Sequence, residues 1–169
     1  MDFTMKDGRT LTVRSYKSDD FEAMVSMFQR LSKEALRYGN PPFDRTRLQR
    51  WASAIDGGIL FLVLDGENVV AAATVWTSWN PRLKGIGEYA TYIHQDYQGR
   101  GLGTFLTRTI LQEAKRKDFH RVTLQVVADN VLGIKAYENA GFVHEGHLKD
   151  AFLDDDGRYH DKLVMGVIL

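Results

Sequence analysis

YIHQDYQGRGLGT, residues 92–104, puts three glycines at alternate positions directly behind an apolar strand. Gly99, Gly101 and Gly103 strip the side chains from one side of a turn. Something must therefore approach the backbone there, either another chain segment or a ligand. The flanking sequence makes this turn the middle of a βαβ unit. EYATYIHQ (88–95) alternates as a strand. Leu102, Phe105, Leu106, Ile110, Leu111 and Ala114 then recur on one side of a helix, whose last turn carries Lys115, Arg116 and Lys117 where cations suit the dipole. RVTLQVV (121–127) follows as a strand, parallel to the first by the right-handed crossover rule.

Toward the N-terminus, KDGRTLTVRSY (6–16) reads as a turn and a short strand, with Leu11 and Val13 on one face. Phe21, Met24, Val25, Phe28, Leu31 and Ala35 hold helical spacing through the stretch that follows. Ser18 is placed to cap that helix, and Gly39 with Pro41 and Pro42 to end it. A second helix is read over about 44–55. ILFLVLD (59–65), the turn DGEN (65–68) and VVAAATVWTSW (69–79) make a hairpin. NVLGIKAYENAG (130–141) is a short helix closed by Gly141. FVHEGHLKDAFL and RYHDKLVMGVIL form a last antiparallel pair around DDDG (154–157), read as a solvated tip. The order β-α-α-β-β-β-α-β-α-β-β predicts one α/β domain over residues 1–169. Its sheet is mixed and mostly antiparallel, with one central parallel βαβ crossover and helices on both faces.

The 22 basic and 22 acidic side chains balance, so no bulk field draws nucleic acid or an anionic membrane. The chain has no cysteine, which removes disulfides, zinc–thiolate sites and thiol nucleophiles. The N-terminus lacks an apolar signal region, and no run approaches the roughly 18 apolar residues of a membrane helix. These absences point to a cytoplasmic protein. The histidines do not assemble a metal set, and no metal is expected. His144 and His147 are read on opposite strand faces, and His94 on the surface.

An open turn at a helix start offers unpaired N–H groups and partial positive charge, a setting for phosphate. The nucleoside-triphosphate loop needs G-x-x-x-x-G-K-[ST], and no Gly-Lys run followed by serine or threonine occurs here. The dinucleotide fingerprint G-x-G-x-x-G fails as well, because the sixth place from Gly99 is Thr104. What fits is Q-x-x-G-x-G at Gln98, Gly101 and Gly103. Here the chain resembles the GCN5-related N-acetyltransferase (GNAT) superfamily, whose members bind the acetyl-CoA pyrophosphate at this turn. LQVVADNVLGIKAYENAGF (124–142) is similar to the family's next strand and helix, and GRYHDKLVMGVIL to a closing strand of many members. The resemblance is strong over about 87–169 and rests on element order before that.

The resemblance implies acetyl-CoA as co-substrate, with its pyrophosphate on the amides of Gly99, Arg100, Gly101, Leu102, Gly103 and Thr104, beside Gln98. It implies backbone donors from Thr91, Tyr92 and Ile93, a pantetheine contact at Asn130, and Tyr137 as general acid near the thioester sulfur. Read from local sequence, Asn130 is equally a helix cap and Tyr137 a packing aromatic. Many members carry a basic Glu where Gln125 stands, and an amide cannot take that proton. Glu88 replaces it, as in members resembling phosphinothricin acetyltransferase; a water chain or His160 are the alternatives. Arg100 and Lys135 are candidates for the cofactor phosphates. With no thiol available, the reading is direct attack by a primary amine of a small molecule or amino acid. A peptide N-terminus, a polyamine, or a non-catalytic acyl-CoA sensor stay open, as does a homodimer.

Overall fold

The computed structural model describes residues 1–53 and 57–169. Eight strands form one sheet in the order β1-β2-β3-β4-β5-β6-β8-β7. These are β1 (Asp2–Thr4), β2 (Thr10–Ser15), β3 (Ile59–Asp65), β4 (Asn68–Thr77), β5 (Ile86–Ile93), β6 (Arg121–Val127), β7 (Val143–Leu153) and β8 (Tyr159–Ile168). The helices are α1 (Phe21–Gln29), α2 (Lys33–Leu36), α3 (Arg45–Ser53), α4 (Leu102–Arg116) and α5 (Val131–Ala140). Among the described strands only β5 and β6 pair in parallel. No described helix is long and apolar enough to cross a membrane.

Period-2 alternation sorts the sheet into two cores. Val75, Tyr89, Val122, Leu124 and Met165 face α4, whose Leu102, Leu106 and Ile110 are fully buried. Burying each such aliphatic side chain is worth about 1.5–3 kcal/mol. Leu60, Leu62, Val69 and Ala72 face the other way, against Met24, Val25, Met27 and Phe28 of α1. Tyr92 joins this second face among Phe28, Phe43 and Trp51. The mixed α/β architecture agrees with the sequence reading, apart from the additional strand β1, which pairs with β2 through Phe3 and Leu11. Its three residues carry too little pattern to register as a strand.

The helix expected from Ser18 onward is interrupted. Ser18–Asp20 form a 3-10 turn entered from Lys17, whose amide donates to the Asp20 carboxylate at 2.7 Å, and Asp20 is the N-cap residue of α1 without a side-chain capping bond. After Gln29 the helix stops and restarts at Ser32, whose hydroxyl accepts from the Ala35 amide. The break is held from far away. Gln95 donates to the Arg30 carbonyl at 3.1 Å and accepts from the Ser32 amide at 3.0 Å, satisfying the backbone groups that the break frees. The second helix runs from Arg45, capped by Asp44, and residues 54 and 55 of that reading lie outside the described residues.

Three side-chain placements also differ. His94 is buried, with only 8% of its surface exposed, because its ring caps the following 3-10 turn by accepting from the Asp96 amide. His144 and His147 share a face, not opposite ones. A bulge at Glu145 sets them opposite Met165 and Leu163, and their partners are Glu138 and Asp161. The DDDG tip is not wholly solvated either, since Asp154 is buried against Arg37.

Candidate active site

The cleft forms where β5 and β6 part. They pair only from Ile86 with Arg121 to Glu88 with Thr123. Beyond that point β5 continues to Ile93 bonded to β4 alone, and β6 to Val127 bonded to β8 alone. A cavity of about 800 Å³ occupies the gap, walled by residues 89–93 on one side and 124–127 on the other. The inner edge of β5 thus presents the alternate backbone groups that do not pair with β4, those of Thr91 and the Ile93 amide. Such groups need a ligand or water. The Tyr92 backbone, expected as a donor, pairs with Ala72, and only its side chain lines the cavity.

The glycine turn closes one end of the gap. Gly99 (φ +68°) and Gly101 (φ +86°) are left-handed, a conformation that costs other residues about 1–2 kcal/mol. Gly101 is the N-cap of α4 and has no side chain to satisfy the first amides. Among the described residues, no amide from Gly99 to Thr104 donates to a backbone acceptor. These open donors stand at the positive end of a 15-residue helix. Gln98 braces the turn by donating from Nε2 to the Ile93 carbonyl at 2.8 Å. A Cβ at Gly103 would lie 3.5 Å from Ile93 and 3.6 Å from Ala136, on the cleft side.

Two of the expected residues keep their side chains out of the cavity. The Arg100 guanidinium is held by Asp7 at 2.8 Å, and the Leu102 side chain is core. Neither side chain lines the cavity, whereas Lys135 does. Asn130 lines it too, but its Oδ1 accepts from the Gly133 amide at 3.0 Å and caps α5. Its Nδ2 keeps both protons for another acceptor.

Tyr137 and Glu88 reach the gap from opposite faces of the sheet. Tyr137 packs edge-on against Tyr89, with ring centres 5.9 Å apart, and its hydroxyl has no protein partner among the described residues. Burial, helped by the neighbouring Tyr89 and Tyr92 hydroxyls, pushes its pKa well above the ordinary tyrosine value. Tyr89, bonded to Thr107 at 3.0 Å, is pushed up to about 12 by burial. Both therefore stay protonated near neutrality. Glu88 forms the last pair before the strands diverge, opposite Trp76 on β4, and lines the cavity without an ion-pair partner among the described residues. Gln125 lines it as well and stays an amide.

The far end of the cavity carries residues that the sequence reading did not single out. Tyr38, Asn40, Arg47, Trp51, Trp76 and Lys162 line it. Trp51 meets Trp76 at 5.2 Å and Tyr92 at 5.6 Å, making an aromatic wall. The available signal was the Arg47-x-x-x-Trp51 spacing, which sets both on one helix face.

Comparison with known proteins matches this arrangement of turn, helix and forked strands. A family model described as the Acetyltransferase (GNAT) family matches residues 24–142. The chain belongs to that family. As a GNAT acetyltransferase it resembles an L-methionine sulfoximine/L-methionine sulfone acetyltransferase of Pseudomonas paraeruginosa, 24% identical over 66% of this chain and 67% of the relative. A mycothiol acetyltransferase of Corynebacterium glutamicum is 38% identical over 55% of this chain, but the match spans only 31% of that relative. Among solved structures, an acetyltransferase from Salmonella typhimurium with its cofactor acetyl-CoA superposes with a TM-score of 0.81, at 21% identity and 94% coverage of each chain. At that identity the likeness speaks for the fold.

Proposed function

We propose that this GNAT chain, with residues 1–169 acting as one catalytic domain, transfers the acetyl group of acetyl-CoA directly to the primary amine of a small, amino-acid-like molecule. The observation that carries the reading is the cleft's passage through the sheet. Its unpaired amides and Tyr137 lie toward α4 and α5, while Glu88 and the aromatic wall lie toward α1 and α3. A cofactor and an acceptor entering from opposite faces would meet in the gap between β5 and β6.

The residues fit acetyl-CoA. The amides from Gly99 to Thr104 donate to the pyrophosphate, with Gln98 holding the turn and Lys135 adding positive charge. Asn130 Nδ2 and the open edge of β5 at Thr91 and Ile93 take the polar atoms of the pantetheine arm and thioester, while Tyr92 lends its side chain to the acceptor wall. Glu88 receives the amine proton, and the Tyr137 hydroxyl donates to the departing sulfur. The chain has no cysteine to carry an acyl group, which favours direct attack. On the acceptor side, Arg47 and Lys162 have no carboxylate partner among the described residues and suit an anionic group on the acceptor. Trp51 and Trp76 suit an apolar body. The relative named for L-methionine sulfoximine and L-methionine sulfone supports the same class.

The test is a mass-spectrometric screen of amino acids, polyamines and N-terminal peptides with acetyl-CoA. Acetylated amino-acid-type amines are the expected products. Turnover confined to polyamines or peptides would overturn the acceptor assignment, and coenzyme A binding with no product on any amine would overturn the reaction.

A further inference from the structure

Beneath the cleft, at the start of β8, one histidine lies between the segments that lead into both of its walls. The His160 side chain is only 14% exposed. Its Nδ1 lies 2.6 Å from the Asp129 carboxylate. Its Nε2 is buried without a hydrogen-bond partner and lies 3.7 Å from Asp154 Oδ2. Asp129 directly precedes Asn130, which lines the cofactor side of the cleft. Asp154 accepts from Arg37 Nε at 2.8 Å and Nη2 at 2.7 Å, and Arg37 directly precedes Tyr38, Gly39 and Asn40 of the acceptor wall. Tyr38 also donates its hydroxyl to the Asp129 carbonyl at 3.4 Å.

The charges around the ring decide which protonation state suits it. Arg37 faces it from the end of α2, Asp129 from the β6–α5 loop, and Asp154 and Asp156 from the β7–β8 turn; Lys162 is two residues along its own strand face. Arg37 neutralises Asp154, and Arg158 neutralises Asp156. Asp129 has no counter-charge among the described residues other than His160. A neutral ring that donates to Asp129 turns an unprotonated Nε2 toward a carboxylate. A protonated ring gives Asp129 its partner and aims an N–H at Asp154.

We propose that His160 is a positioning residue whose protonated ring clasps the Asn130 wall to the Arg37–Asn40 wall, so that cofactor and acceptor sites tighten together. This rests on the cleft taking acetyl-CoA and an amine, as above. The clasp is closed while the ring carries both protons and loosens when it loses one. Asp154, already held by Arg37, serves it as an acceptor and not as a metal ligand.

The test measures acetyl-CoA affinity by calorimetry at pH 6 and pH 8, with no amine present, in the wild type, His160→Gln and Asp129→Asn. Thermal midpoints are taken in the same buffers without ligand. His160→Gln is expected to weaken binding several-fold at pH 6 and to match the wild type at pH 8. Its melting midpoint should be lower than wild type at pH 6 only. Asp129→Asn should flatten the pH dependence in the same way, and it carries the test if His160→Gln does not fold. Parallel wild-type and variant curves would overturn the clasp while leaving the functional reading intact. Absence of acetyl-CoA binding by the wild type at both pH values would overturn both.

Discussion

Replacing Tyr137 with phenylalanine separates chemistry from packing with little ambiguity. The ring packs against Tyr89 at 5.9 Å and Phe142 at 6.1 Å, and phenylalanine keeps both contacts. The hydroxyl has no protein partner among the described residues, so its removal strands no donor or acceptor. The hydroxyl opens onto the cleft and is not a buried orphan, so Tyr137→Phe should melt close to the parent temperature. Turnover should fall. Burial holds the hydroxyl's pKa well above the ordinary tyrosine value. Complete proton transfer from a phenol at or above about 10 to a thiolate near 8.5 is uphill by at least ~2 kcal/mol. In the proposed reaction Tyr137 would therefore act chiefly as a hydrogen-bond donor to the developing charge. A hydrogen bond to a charged group is worth about 1.5–3 kcal/mol, which corresponds to a fall in kcat of roughly 10- to 150-fold. Because the raised pKa keeps the hydroxyl protonated below pH ~10, the pH profile should drop in amplitude without changing shape. Release of free coenzyme A can be followed with a thiol reagent, since the protein has no cysteine to react. Unchanged kcat, or a loss appearing wholly as weaker acetyl-CoA binding, would refute the assignment.

Further substitutions probe the other parts of the site and fold. Glu88→Gln should lower kcat/KM on the order of 10²-fold while leaving the melting temperature unchanged, because the carboxylate holds no ion pair among the described residues; parent-like kinetics would move the base to a water chain. Gly103→Asp adds an anion to the first turn of α4, where it is worth about 0.3–1 kcal/mol of stability, and its Cβ fits at 3.5 Å from Ile93. The variant should fold and fail to bind acetyl-CoA in calorimetry, whereas retained affinity would exclude the turn as the phosphate cradle. Gly101 is the poorer test, because its φ of +86° strains any side chain there. Asp20 is buried, and the hydrogen-bonded Arg14 guanidinium holds its pKa below the usual aspartate value. A depressed carboxylate stabilises above the unfolded-state pKa and loses that contribution as pH falls through the folded value. Asp20→Asn should therefore cost about 1.5–3 kcal/mol at neutral pH in urea unfolding, with the difference from the parent shrinking in acid.

Local pattern reached the fold wherever the cause of an element was local. The alternation in residues 88–95, the apolar stripe of α4 and the Gly141 stop of α5 each carry their own reason, and their elements stand where the sequence puts them. It failed where the cause sits far along the chain. The break between α1 and α2 exists because Gln95, from the loop after β5, supplies both hydrogen bonds that the break requires. Burial of Asp154 in an acidic turn depends on Arg37, from the end of α2. A bulge at Glu145 moved His147 to the face of His144, and a one-residue slip leaves no trace in composition.

The site divides along the same line. The glycine turn is legible because its function is a backbone conformation, and only glycine writes that into sequence. The fork between β5 and β6 is not, because alternation assigns a strand's two faces and says nothing about how far away its neighbour lies. EYATYIHQ and RVTLQVV would read identically if the two strands were zipped to their ends. Pairing stops at Glu88 and Thr123, and the Tyr89, Tyr137 and Phe142 rings pack together beside the point of divergence. Closing the fork would pair the open β5 edge with β6 and fill the cavity that Glu88 and Tyr137 approach from opposite faces. The fork is therefore what joins a turn with open amides, which many folds possess, to a two-sided cleft of the kind the proposed acyl transfer needs. Glu88, at its apex, is placed by the end of strand pairing and not by any motif around it.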